Sequence, residues 1–156
     1  MDTLFTKIYT KYYNDVFRIA YNYTLNRYDA EDIVQLAFTK LYKNIKKFQQ
    51  ADDNVKKWLF RIAINHSKNY LLSSWKRKND LKEDLELFGI KKEESTIFYD
   101  LIRISKKYRI TLYLYYFEGY HIKEIADILK ITESNVKQRL KRGREKLKME
   151  IESGVI

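Results

Sequence analysis

Cysteine and proline are missing from this 156-residue chain, glycine occurs four times and histidine twice. Each scarcity closes a class. Without Cys there is no disulfide framework, no thiolate nucleophile and no Cys-ligated zinc or iron–sulfur cluster. His66 and His121 lie far apart in sequence and offer no imidazole-built metal site. No His, Ser or Cys motif accompanies the carboxylates Asp29, Glu31 and Asp32, so no catalytic pairing forms, and the two histidines read as surface or half-buried polar residues. Four scattered glycines (Gly89, Gly119, Gly143 and Gly154) make neither a Walker loop nor a dinucleotide fingerprint. No cofactor and no enzymatic activity of its own are therefore expected. No apolar run approaches the ~18 residues of a membrane span. Met1-Asp2-Thr3-Leu4-Phe5-Thr6-Lys7 lacks the basic-then-apolar pattern of a signal peptide. The chain reads as soluble and cytoplasmic, with no membrane insertion. The missing proline, in a chain rich in Lys, Ile, Asn and Tyr, fits an AT-rich genome.

What is present is positive charge. Lys and Arg number 31 against 21 Asp and Glu, a formal charge of +10. Such an excess invites a polyanion, either nucleic acid or an acidic membrane surface. Apolar residues make up 45% of the chain, enough for a real core.

Helical spacing dominates the pattern. From Leu4 to Leu25, apolar residues recur at Phe5, Tyr9, Tyr12, Val16, Ile19 and Tyr23. Asp29 is placed to cap a second helix, with Glu31 and Asp32 complementing its positive end. That helix carries the cleanest stripe: Ile33, Val34, Ala37, Phe38, Leu41, Ile45 and Phe48. A third helix sets Val55, Trp58, Leu59, Ile62, Ala63 and Tyr70 on one face. Residues 76–95 are mostly charged and read as a linker, with a short helix over 81–88. A second helical set follows at Thr96–Ile104, Lys107–Phe117, His121–Leu129 and from Thr132 to about Glu150, with Gly119 as a helix stop and Thr132 as a cap. The expected fold is all-α, two small helical domains (1–75 and 96–156) joined by a flexible linker.

Two basic windows carry the chemistry. His121–Leu129, the Lys130-Ile131 turn and the capped final helix form a helix-turn-helix pattern. Lys137–Lys148 holds seven basic residues and one acid. Ser134, Asn135, Lys137, Gln138, Lys141, Arg142 and Arg144 suit a major groove, because Arg and Lys reach guanine edges and phosphates while Asn and Gln reach adenine. Lys56–Lys78 holds seven basic residues and no acid, interleaved with Trp58, Phe60, Tyr70 and Trp75. Aromatic faces among basic residues suit an unstacked strand. Trp58 lies on the apolar stripe and is expected in the core. Trp75 suits the core and DNA equally. Asn65, Lys68 and Asn69 lie off the stripe, free to meet bases or phosphates. The carboxylates Asp29, Glu31 and Asp32 are explained by the helix dipole alone.

The order of these features resembles the bacterial sigma-70 family, in its small extracytoplasmic-function (ECF) group. Asp29-Ala30-Glu31-Asp32-Ile33-Val34-Gln35, continuing to Phe38, Leu41 and Phe48, is similar to region 2.1–2.2. Trp58 through Asn65, then Asn69-Tyr70-Leu71, is similar to regions 2.3–2.4. Tyr120–Leu129 with Val136–Leu147 is similar to region 4.2. The resemblance implies a non-enzymatic subunit that joins core RNA polymerase and directs it to promoters. It implies that Asp29, Asp32, Gln35, Leu36 and Thr39 dock on the clamp helices of the largest subunit. Arg61, Asn65, Lys68, Asn69 and Trp75 would meet the −10 element. Ser134, Asn135, Lys137, Gln138, Lys141, Arg142 and Arg144 would read the −35 duplex. It further implies a contact with the flap of the second-largest subunit and an anti-sigma factor covering the same surfaces, holding the protein at the membrane where the anti-sigma factor is membrane-bound.

The sequence departs from the pattern in four places. Leu36 stands where the family usually has Glu. Ile104-Ser105 replaces the Leu-Pro that opens region 4.1. The Arg run closing region 2.4 is diluted to Ser73-Ser74-Trp75-Lys76-Arg77-Lys78. Lys137 and Lys141 stand where Arg is common, and Lys lacks the bidentate guanine contact. The rival reading is a stand-alone helix-turn-helix regulator, which leaves the 29–35 and 58–65 segments without purpose. An RNA-binding or membrane-surface module would use the charge alone.

Overall fold

The computed structural model describes residues 2–68 and 99–153. Asn69, Tyr70, Trp75, the expected 76–95 linker and its 81–88 helix lie outside the described residues. The described residues are helical with no strand among them, and the chain divides into two compact units, 1–89 and 90–156.

In the first unit, α1 (Asp2–Thr24), α2 (Arg27–Lys43) and α3 (Asp53–Ser67) pack pairwise around one core. Ile8, Val16, Ile33, Leu41 and Leu59 are completely buried. Phe60 is too, which alone is worth about 1.5–3 kcal/mol. The start of α2 differs from the expected Asp29 cap. Leu25, at φ 51°, turns the chain straight after α1 and leaves Asn26 extended at φ −139°. The Asn26 side chain then accepts the Asp29 amide at 3.1 Å, so α2 begins three residues early and Asp29 becomes a first-turn acid. The end of α2 also differs from expectation. The Asn44 side chain donates to the Lys40 carbonyl at 2.8 Å and closes the helix. Ile45 therefore falls in a 3₁₀ turn (Ile45–Lys47) and Phe48 just beyond it, packed edge-on to Trp58 at 5.3 Å. Asp52 caps α3 through the amides of Asn54 and Val55.

In the second unit, α4 (Lys106–Tyr116) packs chiefly against the final helix. Every residue from 108 to 114 is buried, including Arg109 and Thr111. The Arg109 guanidinium donates to the Ile104 carbonyl at 2.9 Å and the Ile102 carbonyl at 3.4 Å. The short α5 (Ile122–Leu129) opens with Glu124 accepting the His121 amide at 3.1 Å, then buries Ile125, Ala126, Ile128 and Leu129. The turn to α6 (Glu133–Ser153) is made by Lys130 in the left-handed region, φ 57° and ψ 48°. Ile131 closes it by donating to the Ala126 carbonyl at 3.1 Å. A side chain in the left-handed region costs about 1–2 kcal/mol, partly offset by the greater unfolded freedom of glycine. Lys130→Gly is accordingly expected to stabilise the second unit by about 0.5–1 kcal/mol in denaturant unfolding. Thr132 then caps α6 by accepting the Asn135 amide at 3.0 Å.

The inner stripe of α6 is Val136, Leu140 and Gly143. Gly143 sits at a close approach to α4. A Cβ there would lie 3.1 Å from Leu112 Cδ1, 3.2 Å from its Cγ and 3.4 Å from Tyr108 Cβ.

Candidate functional site

Three surfaces take shape from these helices. On α2 the buried residues Ala30, Ile33, Val34, Ala37, Phe38 and Leu41 claim one side. Asp32, Gln35, Leu36 and Thr39 follow each other at steps of three, one and three, which places them on the opposite side. Gln35, Leu36 and Thr39 are exposed there. Asp29 is half-buried at the same end. Leu36 is an apolar side chain, 38% exposed, in the middle of this face. Alongside runs a groove of about 340 Å³ lined by Phe5, Tyr9, Phe38 and Tyr42 together with Gln35 and Thr39. Phe5 meets Tyr42 edge-on at 5.4 Å, and Tyr9 meets Phe38 at 4.9 Å. Tyr9, expected inward, is 42% exposed here. The four-residue aromatic spacing in α1 and in α2 is the sequence signal for this groove, and the same spacing also describes a core.

On α3 the buried side holds Val55, Leu59, Phe60, Ala63 and Ile64. Arg61, Asn65 and Lys68, spaced by four and three, share the outward side. Arg61 is half-buried and the other two are exposed. Asn69 and Trp75 are outside the described residues. Trp58 is half-buried against Phe48, beside the outward face rather than wholly inside the core. His66 sits on the flank toward α2. Burial, with the Lys40 ammonium, lowers its pKa from the ordinary 6.5. Because the folded state resists this proton, the unfolded chain takes it first as pH falls. The stability of the neutral form is full above about pH 6.5 and is lost as the pH drops through the lower, folded value. His66→Gln is expected to flatten the decline in melting temperature of the first unit between about pH 7.5 and 5.

On α6 the outward side, opposite the Val136–Leu140–Gly143 stripe, carries Ser134, Lys137, Gln138 and Lys141, all exposed. Asn135 and Arg142 lie on one flank, Asn135 half-buried and Arg142 exposed. Arg144 lies on the other flank and donates to the Tyr116 hydroxyl at 3.3 Å. The seven residues therefore do not form one reading face. Four share it, two flank it, and Arg144 borders a separate apolar groove. That groove, about 590 Å³, is lined by Leu101, Leu112, Tyr116, Phe117, Leu147 and Ile151. Nothing in their spacing marks Tyr116 and Ile151, 56% and 43% exposed, as surface.

Residues 8–77 match the family model described as Sigma-70 region 2, and residues 101–147 match Sigma-70, region 4. The chain is 31% identical to the ECF RNA polymerase sigma factor SigM of Bacillus subtilis, across 96% of each chain. It belongs to the sigma-70 family. Within that family it is an ECF sigma factor, a subunit that directs RNA polymerase to promoters. It is 28% identical to SigW of Bacillus subtilis, across 94% of this chain and 88% of that one. It is 30% identical to the ECF RNA polymerase sigma-E factor of Escherichia coli K12, across 75% and 71%. Solved structures share the fold of this sigma factor. CnrH in complex with the cytosolic domain of CnrY superposes with a TM-score of 0.72 at 21% identity, covering 98% of this chain and 90% of that one. The sigma factor RpoE in complex with the anti-sigma factor NepR from Bartonella quintana superposes at 0.68 and 17%, covering 95% and 96%. The reading as a stand-alone helix-turn-helix regulator is set aside, because region 2 is matched as well as region 4. No helix among the described residues of this sigma factor is long and apolar enough to cross a membrane.

Proposed function

We propose that the sigma factor divides promoter recognition between its two units and supplies no bond-making chemistry of its own. The face of Asp32, Gln35, Leu36 and Thr39, with Asp29 at its end, docks on the clamp helices of the largest polymerase subunit. Arg61, Asn65 and Lys68, with Asn69 and Trp75 following in sequence, meet the −10 element. The α6 outward face enters the −35 major groove, and the apolar groove behind Arg144 receives the flap of the second-largest subunit. The observation that carries this reading is the capped, outward-facing row of Ser134, Lys137, Gln138 and Lys141, which bears no packing and presents only groups that bond to bases and phosphates. The chain acts in the cytoplasm. The complex of the sigma factor RpoE with the anti-sigma factor NepR supports an anti-sigma factor as a further partner.

Run-off transcription with core polymerase on fragments of the native genome tests the whole. Discrete start sites that require this protein support it, and binding to DNA that never recruits core polymerase overturns it. Gln138→Ala is expected to weaken −35 binding by about 1–3 kcal/mol and to relax preference at one base pair, read by competition among −35 variants.

A further inference from the structure

Five residues on the solvent side of α2 form a stripe of their own. Asp29, Asp32, Leu36, Lys40 and Lys43 follow one another at steps of three, four, four and three, with Leu36 at the midpoint. Along the axis Asp32 lies about 6 Å before Leu36 and Lys40 about 6 Å after it, while Asp29 and Lys43 lie about 10.5 Å to either side. Both acids are on one arm and both bases on the other. Asp32, Leu36, Lys40 and Lys43 are exposed and Asp29 is half-buried. None of the four charged groups forms an ion pair among the described residues.

Such a stripe is complementary to itself. Turned end for end about a two-fold axis through Leu36, a second α2 sets its Lys40 against Asp32 and its Lys43 against Asp29, and symmetry repeats each pair. The helix dipole alone explains acids at the start of α2 and bases at its end. It does not explain Leu36. An apolar side chain, 38% exposed, stands where the two-fold axis would bring a residue against its own copy. Glu, which the family usually carries there, would set two carboxylates face to face on the axis and oppose pairing. Leu removes that repulsion and adds an apolar contact. Tyr28 and Tyr42, 65% and 51% exposed, share one flank of the stripe. They lie about 12 Å before and about 9 Å after Leu36, so the Tyr28 of each copy reaches the Tyr42 of the other at the rim.

We propose that the free sigma factor pairs with a second copy of itself through α2, antiparallel about Leu36, and so masks this face. One helix against one helix falls in the size class of weak, transient interfaces, below about 1,200 Å². Pairing is therefore expected with a Kd of about 10–100 µM. Mass action makes the mask depend on concentration, so it forms when free factor accumulates. The pairing stands on the stripe alone. Its consequence rests on the polymerase reading of α2, since Asp32 and Leu36 cannot meet a second copy and the clamp helices at once, and assembly with core polymerase must then dissolve the dimer.

Sedimentation velocity of the free, full-length protein, at concentrations from tenfold below to tenfold above that range, tests the pairing. Wild type should shift from monomer to dimer, and Leu36→Glu should stay monomeric throughout. Asp32→Lys and Lys40→Asp should each weaken pairing about tenfold, because like charges then meet twice across the axis. Mixed in equal amounts, these two variants should pair again, since the lysines of one meet the aspartates of the other. A variant that merely failed to fold would not recover on mixing. A wild type that is monomeric throughout, or a dimer indifferent to all three substitutions, overturns the pairing. A mixture that stays monomeric overturns the antiparallel register. Core polymerase is then added to the wild-type dimer. Release of single copies into holoenzyme supports the mask. If core polymerase binds the intact dimer, the docking of α2 on the clamp helices is what fails, and the pairing stands.

Discussion

Holoenzyme formation with Leu36→Lys is expected to lose about 2–4 kcal/mol, roughly a 30- to 700-fold weaker affinity for core polymerase. The variant removes an exposed apolar side chain from the centre of the outward α2 face, the face proposed to dock, and sets a charge there that assembly would desolvate. The fold should not register the change. The interior of the unit is built from the opposite side of α2, and surface substitutions away from caps and pairs stay within about ±0.5 kcal/mol. Thermal unfolding of the free protein therefore separates a docking defect from a folding defect. Leu36→Glu adds information, because the family usually carries Glu here. If the partner surface has become apolar to match Leu36, the Glu variant weakens assembly almost as much as Lys. A gain in affinity would show that the partner still offers a polar contact. Titration of labelled protein into core polymerase reads both.

Arg109→Leu is expected to destabilise the second unit by about 2–4 kcal/mol, because the carbonyls of Ile104 and Ile102 lose their charged donor inside the fold. For a unit of this size that is a large share of its stability. The two units have separate cores, so the effect should be confined to one of two transitions in calorimetry. Binding to the −35 element should fail at temperatures where the first unit still melts normally. Arg109→Lys should recover only part of the stability, because a point ammonium reaches one carbonyl well and lacks the planar fork.

The helices themselves are legible in the sequence because their stripes repeat at the right interval, and α2 is the clearest case. Its ends are not. Asn26 and Asp29 are both good caps, and only the left-handed turn at Leu25 decides between them. Ile45 and Phe48 continue the stripe on paper, but the Asn44 side chain closes the helix ahead of both. The candidate faces on α2 and α6 follow from spacing, since residues three and four apart must share a side. Arg109 does not stand out, because one buried cation among 31 basic residues has no signature in composition. Periodicity also fails on α4. A helix surrounded by neighbours buries Tyr108 through Leu114 without a polar side to mark its orientation. The close approach of α6 to α4 is hidden for a related reason, since no apolar spacing records it. In the sequence, the glycine that permits this approach looks like any other scattered glycine.

The exposed row Ser134, Lys137, Gln138 and Lys141 has an evolutionary consequence. None of these side chains helps to hold α6 down, since that is done by Val136, Leu140 and Gly143. Substitutions in the row are therefore nearly free of folding cost, and with the row in the −35 groove as proposed, promoter preference can drift while the scaffold stays fixed. A duplicated copy of this chain could acquire a different set of target genes through a few such exchanges, provided the inner stripe is left alone.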